Sequence, residues 1–175
     1  MAAFIGAGIV SVAPWDGLTA FDSLTFVDVG NVSALNISVT ESRQELRNYR
    51  TAAGGTYASV ARVESASLQM DFRDFSAANL ELALWGEKTT LTGVSTVEAL
   101  INSAPLVAVK FVGVNVVDGK DVTGKFFKVR LGAPQGIDMI GEDFGTLAIA
   151  GTLEADTDNI TTPGKSQYFQ IVLED

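Results

Sequence analysis

A mainly β, antiparallel fold with one flanking helix follows from three observations on these 175 residues. Stretches rich in Val, Thr and Phe alternate apolar and polar with period two, the spacing of a strand with one buried face. Glycine-containing turns separate these stretches at short intervals. One segment alone, behind Ser76, has helical periodicity. Together they predict an antiparallel β-sandwich or small barrel, with residues 1–175 forming a single domain.

Leu24 to Val29 is the first expected strand, and Gly30-Asn31 its turn. Ala34 to Glu41 then places Leu35, Ile37 and Val39 on one face and Asn36, Ser38 and Thr40 on the other. Ala58 to Asp74 reads as a long strand or bent pair, with Leu68, Met70 and Phe72 inward and Ser67, Gln69 and Asp71 outward. Ser76 caps a helix over about 76–86, with Leu80, Ala83 and Leu84 on one face and Gly86 as its stop. Leu106 to Val117 runs into Asp118-Gly119, a dipeptide that favours a tight hairpin turn. Gly124 to Leu131, Phe144 to Glu154 and Gln167 to Leu173 complete the set. Residues 1–17 stand outside this pattern and are expected as an extended arm. They hold an apolar run, but no Lys or Arg precedes Arg43, so a secretory leader is not expected. No stretch is both apolar and long enough to span a bilayer.

Composition narrows the chemistry. The chain has no His and no Cys, which removes a Ser–His–acid triad, a thiolate nucleophile, imidazole or thiolate zinc sites, and disulfides. A net charge of −9 opposes nucleic-acid reading, which requires a basic footprint. Charged residues make up only 19% of the chain, below the roughly 25% of ordinary soluble domains. A surface short of charge points towards an assembly that hides part of it.

Charge is also unevenly placed. Residues 1–42 carry Asp16, Asp22, Asp28 and Glu41 with no base, and residues 132–175 set eight acids against Lys165. The segment from Ser42 to Tyr57 is different, with Arg43, Arg47, Arg50, Tyr49 and Tyr57 against the single acid Glu45. It is expected as a long loop (42–57), more than a hairpin needs, and Arg and Tyr are the types that anchor interfaces. Two readings stand: an exposed mobile loop, or an arm contacting an acidic neighbouring subunit. The latter makes a subunit with complementary faces that meets its copies head to tail.

Three chemical motifs are imitations. Gly6-Ala7-Gly8 starts like a dinucleotide fingerprint, but Ser11 replaces the third glycine and Pro14 to Gly17 prevents the following helix. Gly119 to Lys125 has phosphate-loop spacing, yet Phe126 stands where a hydroxyl belongs and a strand follows. Glu154 to Asn159 lacks the glycine and distal Glu of a calcium loop. The acid pairs Asp71 with Asp74 and Glu142 with Asp143 lie in no marked cleft. No catalytic, cofactor-binding or metal site is expected, and no cofactor.

The stretch RNYRTAAGGT (Arg47 to Thr56), the long strand after it, and DFSAANLELALWG (Asp74 to Gly86) together resemble the major tail tube proteins of long-tailed, siphovirus-like bacteriophages. The resemblance is clearest over residues 24–90, and Met1 to Gly17 has no counterpart in it. It implies a β-sandwich with a flanking helix, and homohexameric rings whose inner strands close a shared barrel and stack into a tube. It implies that the loop with Arg43, Arg47, Tyr49, Arg50 and Tyr57 makes inter-subunit contacts. A mostly negative lumen is implied too, through which DNA passes during ejection without specific binding; Asp71, Asp138 and Glu154 are candidates to line it. Further implied partners are the tape-measure and the tail-terminator or baseplate proteins, with the subunit made in the host cytoplasm and located in the virion tail. Rival readings are a virion decoration or carbohydrate-binding β-sandwich and, with no His or Cys to support it, a small carboxylate hydrolase.

Overall fold

A computed structural model describes residues 5–134, 136–137, 139–141 and 143–174. Its elements are β1 (Gly6–Pro14), β2 (Val27–Asp28), β3 (Val32–Arg47), β4 (Thr56–Phe72), α1 (Ala77–Ala83), β5 (Glu87–Leu91), β6 (Val94–Glu98), β7 (Leu106–Asn115), β8 (Asp121–Leu131), β9 (Gly136–Ile137), β10 (Leu147–Leu153) and β11 (Phe169–Leu173). The expected class holds: the chain is mainly β, every pairing is antiparallel, and one helix flanks the sheet. No helix of the described residues is long and apolar enough to cross a membrane.

The main sheet runs β2-β1-β7-β8-β10-β4-β3, with β11 added to β8 and β9 to β10. Strand β8 organises it. One edge pairs with β7; the other pairs with β11 over Val122–Phe126 and with β10 over Val129–Leu131. An irregularity lies between these two stretches, where Val109 opposes Phe126 but Val107 opposes Val129. A bulge of this kind bends a strand and sharpens its twist. The sheet accordingly folds over itself into a sandwich-like barrel that stays open, because its two end strands, β2 and β3, do not pair with each other.

The core is one cluster drawn from both halves. Val10 and Val12 of β1, Val107 and Val109 of β7, and Phe126, Val129 and Leu131 of β8 meet Leu68, Met70 and Phe72 of β4 and Leu147 and Ile149 of β10. On β4 the buried residues are the alternate ones read from the sequence. The helix seals one end. Ser76 Oγ accepts the Asn79 amide at 3.1 Å, and Ala83 is fully buried while Leu80 and Leu82 pack on the core. The left-handed residue that ends α1 is Trp85 (φ 50°), with Gly86 N–H donating to Glu81 O, a Schellman closure in which Gly86 sits one position later than usual. Gly86 has its own reason to lack a side chain: a Cβ there would meet Glu98 O at 2.4 Å. The β5–β6 hairpin follows, turning through Thr92 (φ 46°) and Gly93 (φ 82°), a primed turn missed in the sequence because Thr rarely takes this position.

Three expectations need correction. Residues 6–14 of the supposed extended arm form β1, which pairs with β7 along its whole length from Gly6–Asn115 to Pro14–Val107. Only Val27 and Asp28 of the Leu24–Val29 stretch are strand. Most important, 42–57 is not a loop: Ser42 to Arg47 extend β3, Thr56 and Tyr57 begin β4, and only residues 48–55 connect them.

Candidate functional site

Past the core, β3 and β4 continue as a bare two-stranded ribbon. Residues 56–65 of β4 and 36–47 of β3 are all solvent-exposed, and the register is continuous from Val39–Ala66 out to Arg47–Thr56. The change of character is visible on one side of β3, where Leu35, Ile37 and Val39 give way at the same spacing to Glu41, Arg43 and Glu45. A bulge marks the boundary: Thr40 opposes Ser65 and Glu41 opposes Val63, so Glu64 is the extra residue. Beyond it the ribbon projects by about 25 Å, at some 3.3 Å per residue. A two-stranded hairpin has marginal stability in water without a surface to lie on.

The tip is closed by Asn48 N–H donating to Gly55 O at 2.8 Å and Gly54 N–H to Thr51 O at 3.2 Å. Gly54 and Gly55 take φ 68° and 102°, a conformation that explains the pair. All five expected contact residues sit on this arm, and it presents them to solvent: Arg43, Arg47 and Arg50 are exposed or nearly so, Tyr49 is 84% exposed and Tyr57 61%. Tyr57 is itself a bulged residue, since Leu46 opposes Ala58 and Arg47 opposes Thr56. Arg43 bonds Glu41 at 3.0 Å, an exposed pair of little energetic weight. Arg47, Arg50 and Arg62 have no ion-pair partner among the described residues. Leu46, Val60 and Val63 add exposed apolar surface, which the sequence reading did not single out.

The lumen candidates fare unequally. Asp71 is half-buried on the outer face of the β10-β4-β3 layer, opposite Ala34 and Ala148. That face is otherwise made of small neutral residues such as Asn36, Ser38, Ser67, Gln69, Ala150 and Thr152. Asp138 lies outside the described residues. Glu154 is not a free negative charge: it accepts from Arg130 Nε at 2.5 Å, with Lys128 Nζ at 3.6 Å. The Arg130 hydrogen bond is the main cause holding its carboxyl below the usual range, against an opposing effect of burial. Glu154 is thus engaged by the two cations of β8.

Its partners belong to a wider arrangement. Lys125 is bonded to Asp22 at 2.7 Å and lies over the Phe21 ring; Lys128 sits 4.1 Å above Trp15, and Lys110 5.7 Å above Phe26. The segment from Trp15 to Phe26 thus covers the basic strip of β7 and β8, with Phe21 edge-on to Phe127. Asp16 shapes its start, accepting the Leu18 and Thr19 amides and the Thr19 hydroxyl.

The imitation motifs resolve as structure. Gly8 and Gly113 oppose each other across β1 and β7, where a Cβ on either would strike backbone within 2.5 Å. Gly119 (φ 73°) turns the β7–β8 hairpin. Asp156 is 3% exposed and accepts from Asn159 backbone and side chain, which makes it a loop clasp. No cluster of potential metal ligands occurs among the described residues. One exposed feature escaped the sequence reading. Phe144 was expected in a strand, but β10 begins at Leu147, and Met139, Ile140 and Phe144 stand 86%, 98% and 92% exposed.

No curated protein matches the chain. A family model described as protein of unknown function UCP028589 matches residues 3–96 and 90–172, and the chain belongs to that family.

Proposed function

We propose that the chain is a structural subunit that assembles with copies of itself, as the tail tube subunit of a long-tailed bacteriophage does. In this reading six copies form a ring, and rings stack head to tail into a conduit for DNA ejection in the virion tail. Tape-measure and tail-terminator or baseplate proteins meet its ends. The observation that carries the reading is the projecting β3–β4 arm, exposed on both faces and tipped with unpaired arginines and open tyrosines. Such a ribbon gains stability from a neighbour.

Two further features support it. The outer face of β10-β4-β3 is polar and has few cations: Arg130 at its margin is engaged by Glu154, and Arg73, just past the end of β4, is tied to Ser33, Phe144 and Thr146. DNA phosphates find little to hold there, since each free Lys or Arg on such a face would release counterions and bind. Strand β3 is also an end strand of the sheet, and an unpaired edge is a template for continuing the sheet into a neighbour. A decoration or carbohydrate-binding module remains the second reading. Its aromatic platform finds little support, because the indole nitrogens of Trp15 and Trp85 are both buried.

Electron microscopy of the purified chain at high concentration tests the reading. Open-ended tubes with a central channel are expected. A stable monomer at high concentration, together with virions that lack the chain as a repeating tail subunit, would overturn it.

A further inference from the structure

We infer that the loop carrying Met139, Ile140 and Phe144 is the docking site for the arm tip of a second copy of this chain. The inference rests on the self-assembly reading and names the partner surface that reading leaves open.

The loop is an unusual surface. Three large apolar side chains stand almost wholly in solvent within six residues, where such groups are normally scattered singly. Asp143 is exposed in the same loop, and the sequence from 138 to 144 holds no base. The arm tip is its chemical complement. Arg47 and Arg50 are unpaired among the described residues, and Tyr49 and Tyr57 are open beside them. Arg and Tyr are the side chains that anchor interface centres, and a flexible Met makes favourable contacts with aromatic rings. Opposite charge on the two surfaces would also orient the encounter.

Geometry decides that the contact joins two copies. The loop is tied to the root of the arm: Arg73, next after the end of β4, donates from Nη1 to Phe144 O at 3.1 Å and to Thr146 Oγ1 at 2.6 Å. The tip lies at the other end of β4, sixteen residues away at Thr56. At about 3.3 Å per residue, the tip and loop of one copy are roughly 50 Å apart. Tip and loop are different patches, so a head-to-tail contact between them propagates from copy to copy, whereas a reciprocal two-fold pair would stop at a covalent dimer in the double variant below.

The absence of cysteine makes a clean test. Tyr49→Cys and Phe144→Cys are both surface changes and are made in separate chains, with Leu18→Cys, 89% exposed, as control. On mild oxidation, mixed Y49C and F144C chains should give at least tenfold more heterodimer than Y49C with L18C. The double variant Y49C/F144C should give a ladder of covalent oligomers on a non-reducing gel. If the wild type assembles but the Y49C–F144C yield equals the control, this pairing is wrong and self-assembly stands. If the ladder forms while microscopy shows no tubes, the pairing stands and the tube reading falls. If the wild type stays monomeric and the yield equals the control, the pairing falls, and the tube reading falls with it where virions also lack the chain as a repeating tail subunit.

Discussion

The two ends of the β3–β4 hairpin are one pair of strands in two environments. At the root, Ala66, Leu68, Met70 and Phe72 are buried under β10 and the helix end of the molecule. Towards the tip, with the same antiparallel ladder, every residue from Thr56 to Ser65 is exposed. Backbone pairing is therefore not what distinguishes fold from arm. The difference is what lies against the ladder: on one side of β3, Leu35 packs on the core, whereas Glu41, Arg43 and Glu45 at the same spacing face solvent. The root is packed into the core of the chain, whereas the arm has no packing partner among the described residues.

The largest expected effect tests that division directly. Phe72→Ala should lower unfolding free energy by about 3–5 kcal/mol through lost burial and a cavity. Val60→Ala and Val63→Ala should each stay within about 0.5 kcal/mol, as for other surface changes. Urea unfolding of dilute, monomeric protein measures both. Comparable losses at the two ends would mean that the arm is held by its own domain, and the comparison would break.

Assembly should show the reverse order. Changing Arg47 and Arg50 together to Glu should weaken association by about 2 kcal/mol or more, because it sets like charges against an acidic partner. That corresponds to roughly a thirtyfold rise in the concentration needed to assemble. The melting temperature of the monomer should not move. Sedimentation reads the first quantity and calorimetry the second.

A smaller but sharper measurement is hydrogen exchange. Amides from Glu41 to Val63 should exchange quickly in the monomer, since their bonds have no buried side to protect them. Those of Leu68 and Met70 should exchange only on global opening. In assemblies the arm amides should slow markedly. Equal exchange in monomer and assembly would remove the arm from the interface.

This same division explains what was legible in the sequence. Leu68, Met70 and Phe72 and the Ser76 cap are readable because each obeys a local rule that the fold also uses. The turn at Asp118-Gly119 is legible in place but not in type: β7 stops at Asn115, Gly119 N–H donates back to Asn115 O, and of the pair only Gly119 has positive φ. The arm was read as a loop because hydrophobic alternation reports a buried face, and Ser42 to Arg47 have none to report. Strand β1 was missed for the opposite reason. It is apolar nearly throughout, from Gly6 to Ala13, and a run without alternation does not reveal a period. Of the candidate contacts, the arginines and tyrosines were legible from composition alone. The loop at Met139 was not, since isolated apolar residues between glycines and acids resemble the start of a strand. Nor did the charge count show that Glu154 is occupied, as its partners Lys128 and Arg130 come from a strand more than twenty residues away.

The smallest effect concerns the segment over β7 and β8, which, unlike the arm, is held to its own domain by short-range bonds. The Asp22–Lys125 pair ties it to β8, and Asp16 fixes a turn within it. The Asp16 carboxylate accepts the Thr19 hydroxyl at 2.6 Å and the Thr19 and Leu18 amides at 2.8 and 2.9 Å. These bonds favour the charged form and lower its pKa to about 2, the Thr19 hydroxyl contributing most. Because the folded value lies below the unfolded one, the stabilisation is fully present above about pH 4 and is lost as pH falls through 2. The group is fully exposed, so the effect on global stability should be slight, and the local titration is the better readout. Carbon-detected NMR should place the Asp16 midpoint near 2 in the wild type. In Thr19→Ala it should rise part of the way back towards the ordinary carboxylate range, the Thr19 and Leu18 amides still holding it down, with the arm resonances unaffected. A midpoint that stays near 2 in Thr19→Ala would show that the backbone amides alone hold the turn, and that the hydroxyl is a bystander.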